Sequence, residues 1–217
     1  STPSAFRVLQ ERDRGFSDLF HVIRVNETTR EETLRILITA MRQHEEQNEC
    51  RFELDVLPSV MELQARYIHD TSFPGKAAAF ARRLAIKQRN DVVMRQHVLD
   101  EFQAQSGLSI TFLDGHRKLE RSDVESGIRE GVIGQDVAVQ ALTDAICRAK
   151  ARLNDPEKPL GTFLFVGPTG VGKTQCAKAA ATYLFGDPER LIRFDMNEFV
   201  DAQSAARLVG TFDEPEG

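Results

Sequence analysis

The sequence predicts a doubly wound α/β domain with a parallel sheet, preceded by a smaller, mainly helical domain. Three observations carry this. The first hundred residues repeat apolar side chains at helical spacing, Thr162 to Val166 is an almost wholly apolar run bounded by glycines, and a glycine-rich loop then leads through a helical stretch to a further apolar run, Leu191 to Phe194. Strand, loop, helix and strand in that order make a βαβ unit.

The elements follow in order. His21 to Val25 alternates weakly and reads as a short strand. Thr28 with Glu31 has capping-box spacing and opens a first helix, with Leu34, Leu37, Ile38 and Met41 on one stripe. A second starts near Asp55, with Val56, Val60, Leu63 and Tyr67 on one face and Pro58 tolerated in its first turn. Pro74 and Gly75 break the chain before a third, which carries Ala77, Phe80, Ala81, Leu84 and Ala85. A fourth, capped by Asp91, presents Met94, Val98 and Phe102 and ends near Gly107. Residues 107–131 lack a strong period, hold a charged run from Asp114 to Arg121, and read as a connector. A long helix from Asp136 to Leu153 then places Ala138, Ala141, Leu142, Ala145, Ile146 and Ala149 at helical spacing, and Asn154-Asp155-Pro156 ends it. Thr162 to Val166 has the composition of a strand buried on both faces. Lys173 to Phe185 is a helix stopped by Gly186, and Leu191 to Phe194 is a further strand.

Composition narrows the classes. With 217 residues and 41% apolar side chains the chain can build packed cores. Its 28 basic and 33 acidic residues are interspersed and sum to -5, so neither a nucleic-acid nor a membrane footprint is expected. Cys50, Cys147 and Cys176 lie far apart without the paired spacing of a zinc site or a disulfide framework, which suits a reducing cytoplasm. His21, His44, His69, His97 and His116 are scattered and carry no expected chemistry. No stretch is long enough to span a bilayer, and no signal segment opens the chain. The start at Ser1 and the acidic end at Gly217 suggest part of a longer polypeptide.

The chemistry lies in Gly167-Pro168-Thr169-Gly170-Val171-Gly172-Lys173-Thr174, which fits G-x-x-x-x-G-K-[ST]. Glycines permit backbone angles closed to other residues, so successive amides can turn inward and cradle phosphate oxygens. Lys173 supplies a point charge for the β and γ phosphates, and Thr174 a hydroxyl for magnesium. The helix beginning at Lys173 points its positive end at the same anion. The expected ligand is ATP with magnesium. Hydrolysis also needs an acidic magnesium holder and a base, usually an apolar run ending in Asp-Glu on a second strand, and these residues hold no such run. Asp195-Met196-Asn197-Glu198 offers carboxylates, but Arg193 interrupts the preceding run, and a structural turn or helix cap is the expected role.

The order Val132-Ile133-Gly134-Gln135-Asp136, a helix ending near Asp155-Pro156, Gly161-Thr162-Phe163-Leu164-Phe165, the phosphate loop, Arg193-Phe194-Asp195-Met196-Asn197-Glu198-Phe199 and Arg207-Leu208-Val209-Gly210 resembles the start of the second module of Clp-type AAA+ proteins. These are ring-forming unfoldases with two ATPase modules in tandem. Phe73-Pro74-Gly75-Lys76-Ala77 stands where the first module's lid has Leu-Pro-Asp-Lys-Ala, and Ser106-Gly107-Leu108-Ser109 where the linker has Thr-Gly-Ile-Pro. The resemblance implies a first-module lid over residues 1–105, a linker over 106–131 and the beginning of a P-loop NTPase (AAA+) core, a partial one, over 132–217. It also implies that Val132 and Ile133 line an adenine pocket, that the longer protein forms a hexameric, homo-oligomeric ring that hydrolyses ATP to unfold or remodel protein substrates, and that a peptidase is a candidate partner.

Three departures bear on this. Where the family's first module has Leu-Glu-Arg-Arg-Phe, whose arginines reach a neighbouring subunit's ATP, this chain has Phe16-Ser17-Asp18-Leu19-Phe20, with Arg12 or Arg14 as substitutes. Where the second module has an aromatic pore loop, this chain has Thr211-Phe212-Asp213-Glu214-Pro215-Glu216-Gly217. Between Leu84 and Val98 there is no room for the coiled coil of disaggregases. A second expectation is therefore a nucleotide-gated assembly or interaction protein that does not thread polypeptide. A P-loop kinase or GTPase is a third, opposed by the absence of Asn-Lys-x-Asp.

Overall fold

The computed structural model describes residues 2–155 and 158–199. Pro156, Arg207 to Gly210, and Thr211 to Gly217 with Phe212 lie outside the described residues. Helix α1 (Pro3–Arg12) starts with proline at its first position, and the Thr2 hydroxyl accepts from the Ala5 amide at 3.2 Å. In α2 (Arg14–Ser17) Asp13 plays the same part for the Phe16 amide at 2.9 Å. The strand expected at His21 to Val25 does not form. Val22, Ile23 and Val25 are all exposed, so the alternation has no face to bury.

Helix α3 (Arg30–Asn48) begins one residue later than expected. Thr28–Glu31 and Thr29–Glu32 are overlapping boxes of equal spacing, and the chain uses the second. The Thr29 hydroxyl accepts from the Glu32 amide at 3.3 Å, and the Glu32 carboxylate accepts from the Thr29 amide at 2.8 Å. That backbone bond, with a second from the Thr29 hydroxyl, holds the Glu32 carboxyl below its ordinary pKa. Thr28 instead pairs its hydroxyl with that of Thr33 at 2.7 Å.

Then come β1 (Arg51–Phe52), α4 (Val56–Tyr67), α5 (Gly75–Lys87), β2 (Val92–Val93) and α6 (Arg95–Ser106). The two strands pair in parallel, Arg51 with Val92 and Phe52 with Val93. This corrects the expected Asp91 cap. Val92 and Val93, both β-branched, extend into the ladder; the Asp91 carboxylate accepts from the adjacent Val92 amide at 2.7 Å and its backbone carbonyl from the Arg51 amide at 3.1 Å. The next helix opens at Met94, whose amide donates to His97 Nδ1 at 3.1 Å. Only the turn at residues 88–91 joins α5 to β2, and no inserted helix lies there.

The connector also holds more structure than expected, α7 (Ile110–Leu113) and α8 (Arg121–Arg129). Each buries just two side chains, Phe112 and Leu113 in one and Val124 and Ile128 in the other, too few to show a period. Helices α9 (Asp136–Lys150) and α10 (Lys173–Phe185) match their expected starts, and α10 ends at Gly186 with φ 74°, a left-handed cap that glycine adopts without strain.

Thr162–Val166 and Leu191–Phe194 are not strands here; β1 with β2 is the only ladder among the described residues. A parallel strand takes its hydrogen bonds from strands brought alongside by long crossovers, and among the described residues no strand pairs with either segment. Phe163 and Phe165 stack at 6.2 Å and line an apolar cleft of about 480 Å³ with Leu142, Ile146, Leu184 and Ile192. Leu164 and Val166 point away, 89% and 85% exposed. One face is covered and the other bare, where burial on both was expected.

From α3 to α10 the described residues share one packed cluster. Phe80, Phe102, Leu37, Val56, Val60 and Leu84 fill the first unit, Val124, Ile128, Val139 and Cys176 the second, and Phe112 and Leu113 of α7 join the two in one cluster. Gly127 lets α8 approach α10, since a Cβ there would lie 2.6 Å from the Tyr183 ring. At the junction, the Lys150 ammonium donates to the carbonyls of Thr111, Phe112 and Asp114 at 2.6, 3.0 and 2.7 Å, matching three protons to three acceptors. Burial, with Arg66, Arg117 and Arg95 nearby, pushes this ammonium below its ordinary pKa, while Asp114 pulls the other way. Arg66 of α4 donates to the Ala149 carbonyl, Glu62 pairs with Arg152, and Arg95 of α6 bonds Asp114 at 2.7 Å. Lys150→Met keeps the apolar stem and leaves the part-buried Thr111 and Phe112 carbonyls without donors, while the Asp114 carbonyl keeps the Arg117 amide at 3.1 Å. It should cost about 2 kcal/mol, measured by urea denaturation. No helix of the described residues is long and apolar enough to cross a membrane.

Candidate functional site

Residues 167–172 carry the chain from the Phe163–Phe165 segment into α10. Gly170 and Gly172 take φ of 85° and 96°, a region open to glycine and strained for other residues. A Cβ at either would meet nothing within 4 Å, so the space beside each of these two glycines is open. Gly172 is also the N-cap of α10. The first amides of a helix have no partner within it, and the helix dipole adds positive potential at the same place.

The Lys173 ammonium arcs back over the loop, donating to the Gly167 and Pro168 carbonyls at 2.8 and 2.6 Å. Among the described residues no carboxylate pairs with it. A cation held by neutral carbonyls can exchange them for anionic oxygens at low cost. Pro168 and Thr169 form the outer bend with Val171 beyond, and Thr174 is exposed in the first turn of α10. Gly167 to Thr174 thus form one continuous turn into α10.

The two other expected site residues separate. Val132 is 4% exposed, packed in the core, while the next residue, Ile133, is 99% exposed. Gly134 and Gln135 follow with φ 71° and 54°, turning the chain into α9. Sequence reasoning missed two polar contacts here. Gln135 donates its side-chain amide to the Val171 carbonyl at 3.0 Å, and Gln175 donates to the Gly131 carbonyl at 2.9 Å.

Asp195 caps the short 3-10 turn Met196–Glu198 by accepting from the Asn197 amide at 3.3 Å, the structural role expected of it. Among the described residues no group of three or more His, Cys, Asp or Glu is placed to hold a metal.

The AAA domain family (Cdc48 subfamily) matches residues 158–215. The ClpA homolog protein of Fuscovulum blasticum is 35% identical over 222 residues, covering 97% of this chain and 27% of that protein. The chaperone protein ClpB of Helicobacter hepaticus is 41% identical over 138 residues, 61% of this chain and 16% of that protein. A solved closed state of Hsp104 with ATPγS and FITC-casein superposes with a TM-score of 0.71 at 25% identity, over 97% of this chain and 37% of that one. The chain thus spans under a third of the length of these curated relatives.

Proposed function

Because the chain belongs to the Clp-type AAA+ family, we propose that Gly167 to Thr174 binds ATP with magnesium, as part of a longer protein that spends ATP on remodelling other proteins. One observation carries this. A loop with two left-handed glycines, each with open space beside it, sits at the start of α10, with an ammonium on its carbonyls that has no carboxylate partner among the described residues. That arrangement fits a triphosphate in charge and in shape. Lys173 would meet the β and γ phosphates, the loop amides would hold their oxygens, and the Thr174 hydroxyl would take magnesium. Magnesium, when bound, neutralises charge between the phosphates. Val132 and Ile133 would flank the adenine, Val132 from the core side and Ile133 from the exposed side.

Residues 1–105 serve in this proposal as the lid of a first module, 106–131 as the linker, and 132–217 as the beginning of the second module's core. The longer protein would form a homo-oligomeric, hexameric ring in the cytoplasm and act on protein substrates, with a peptidase as a candidate partner. Free Cys50, Cys147 and Cys176 suit a reducing compartment. The short turn at residues 88–91 supports a lid without an inserted coiled coil. Hydrolysis needs a carboxylate beyond those identified here, so this chain should bind nucleotide and turn it over slowly or not at all.

A titration of fluorescent ATP analogue, with and without magnesium, tests the proposal. Saturable, magnesium-dependent binding is expected, and its absence would overturn the assignment. Gly172→Ala should weaken that binding about tenfold, because the roughly 1–2 kcal/mol of left-handed strain is relieved by moving the loop off its path. The acidic stretch Asp213 to Glu216 favours a second reading, a nucleotide-gated assembly protein that does not thread polypeptide. Unfolding of a tagged, folded substrate by the longer protein would rule that reading out.

A further inference from the structure

We propose that Gln135 and Gln175 are positioning residues that lock the base-facing segment Gly131–Gln135 to the phosphate loop, so that base and phosphate are read as one rigid unit. The proposal rests on the nucleotide-binding reading of the loop and of Val132 and Ile133.

Two side-chain amides cross between the same two pieces of backbone in opposite directions. Gln135, at the start of α9, donates to Val171 within the loop at 3.0 Å. Gln175, in the first turn of α10, donates to Gly131 at the head of the segment at 2.9 Å. The contacts join positions 36 and 44 residues apart in sequence, so no local constraint of the chain could replace them. Gly131 itself sits against α10, where a Cβ would lie 3.1 Å from that of Ala179. Arg129 closes the frame by bonding Asp136 at 2.7 Å, tying the end of α8 to the start of α9. The segment is thereby fixed at both ends, while Ile133 between them stays free of protein contact.

The residue type fits the task. An amide donates to a carbonyl without adding charge beside the phosphates. A lysine or arginine there would compete for the anion, and a carboxylate would repel both the carbonyl it faces and the phosphates. Gln135 can reach Val171 because its backbone is left-handed, with φ 54° and ψ 41°, which turns the side chain back toward the loop. The arrangement predicts that phosphate affinity survives loss of the two bonds while the contribution of the base does not.

The test compares magnesium-ATP with magnesium-tripolyphosphate, which has the phosphates and no base, on the full chain. The variants are Gln135→Met, Gln175→Met and the double substitution, which keep side-chain length and remove the donor. Far-UV circular dichroism melts establish that each is folded. Wild type should prefer ATP; the double variant should lose about tenfold in ATP affinity and less than about twofold in tripolyphosphate affinity. Equal losses on both ligands, no loss on either, or no ATP preference in wild type would each overturn the proposal. Lys173→Ala separates the two levels. If it leaves tripolyphosphate binding intact, the underlying phosphate site is wrong, whatever the glutamines do.

Discussion

Lys173→Ala is expected to lower ATP affinity at least about a hundredfold while leaving the fold intact. Charge-assisted bonds to phosphate oxygens are each worth about 1.5–3 kcal/mol, and the ammonium is placed to make two. The full sum is not expected. The same ammonium already donates to the Gly167 and Pro168 carbonyls, which it must release before it meets phosphate. Those carbonyls are exposed and turn to water when the side chain is removed, so the stability change should stay within about 0.5 kcal/mol. Titration of the fluorescent analogue gives the affinity, and urea denaturation gives the stability. Undiminished binding by a folded Lys173→Ala variant would show that the loop is not the nucleotide site.

The parts legible in the sequence are those whose physical demand is local. The stripes of α4, α5 and α9 repeat over three or more turns, and Gly186 stops α10 because its φ of 74° is a requirement of one residue. The turn at Gly167 to Gly172 is legible for the same reason, since Gly170 and Gly172 answer to their own backbone angles. Helices α7 and α8 escaped because two buried side chains make no period. Thr162–Val166 and Leu191–Phe194 went the other way. Their composition suits strands, but a ladder depends on partners distant in sequence, and none of the described residues supplies one. At the site, the contacts of Gln135 and Gln175 have no signal in the sequence. An exposed neutral amide has no preferred pattern, and its partners lie on another element, so only the fold brings donor and acceptor together.

Phe102→Ala should remove about 3–5 kcal/mol, a large share of the stability a domain of this kind possesses. Phe102 is fully buried, with its ring 6.0 Å from that of Phe80 and 5.7 Å from that of Tyr67. Tyr67 lies in turn 6.4 Å from Phe112, so the aromatic chain leads from α4 and α6 into α7. Truncation leaves a ring-sized void among side chains carried by α4, α5 and α6, which their mutual packing prevents from collapsing. The loss should not stay in that unit. The cluster runs without interruption from Phe102 through Phe112 to Val124 and Val139, and the Lys150 and Arg66 contacts brace the same junction. Urea unfolding followed by circular dichroism should therefore show one transition in wild type and one, at a lower midpoint with unchanged slope, in Phe102→Ala. Amide exchange in α10 should accelerate in step with exchange in α6. Two transitions, with only the first moved by the substitution, would mean that α7 joins the units without coupling them. The polar bracket at Lys150 would then hold position and contribute nothing to cooperativity.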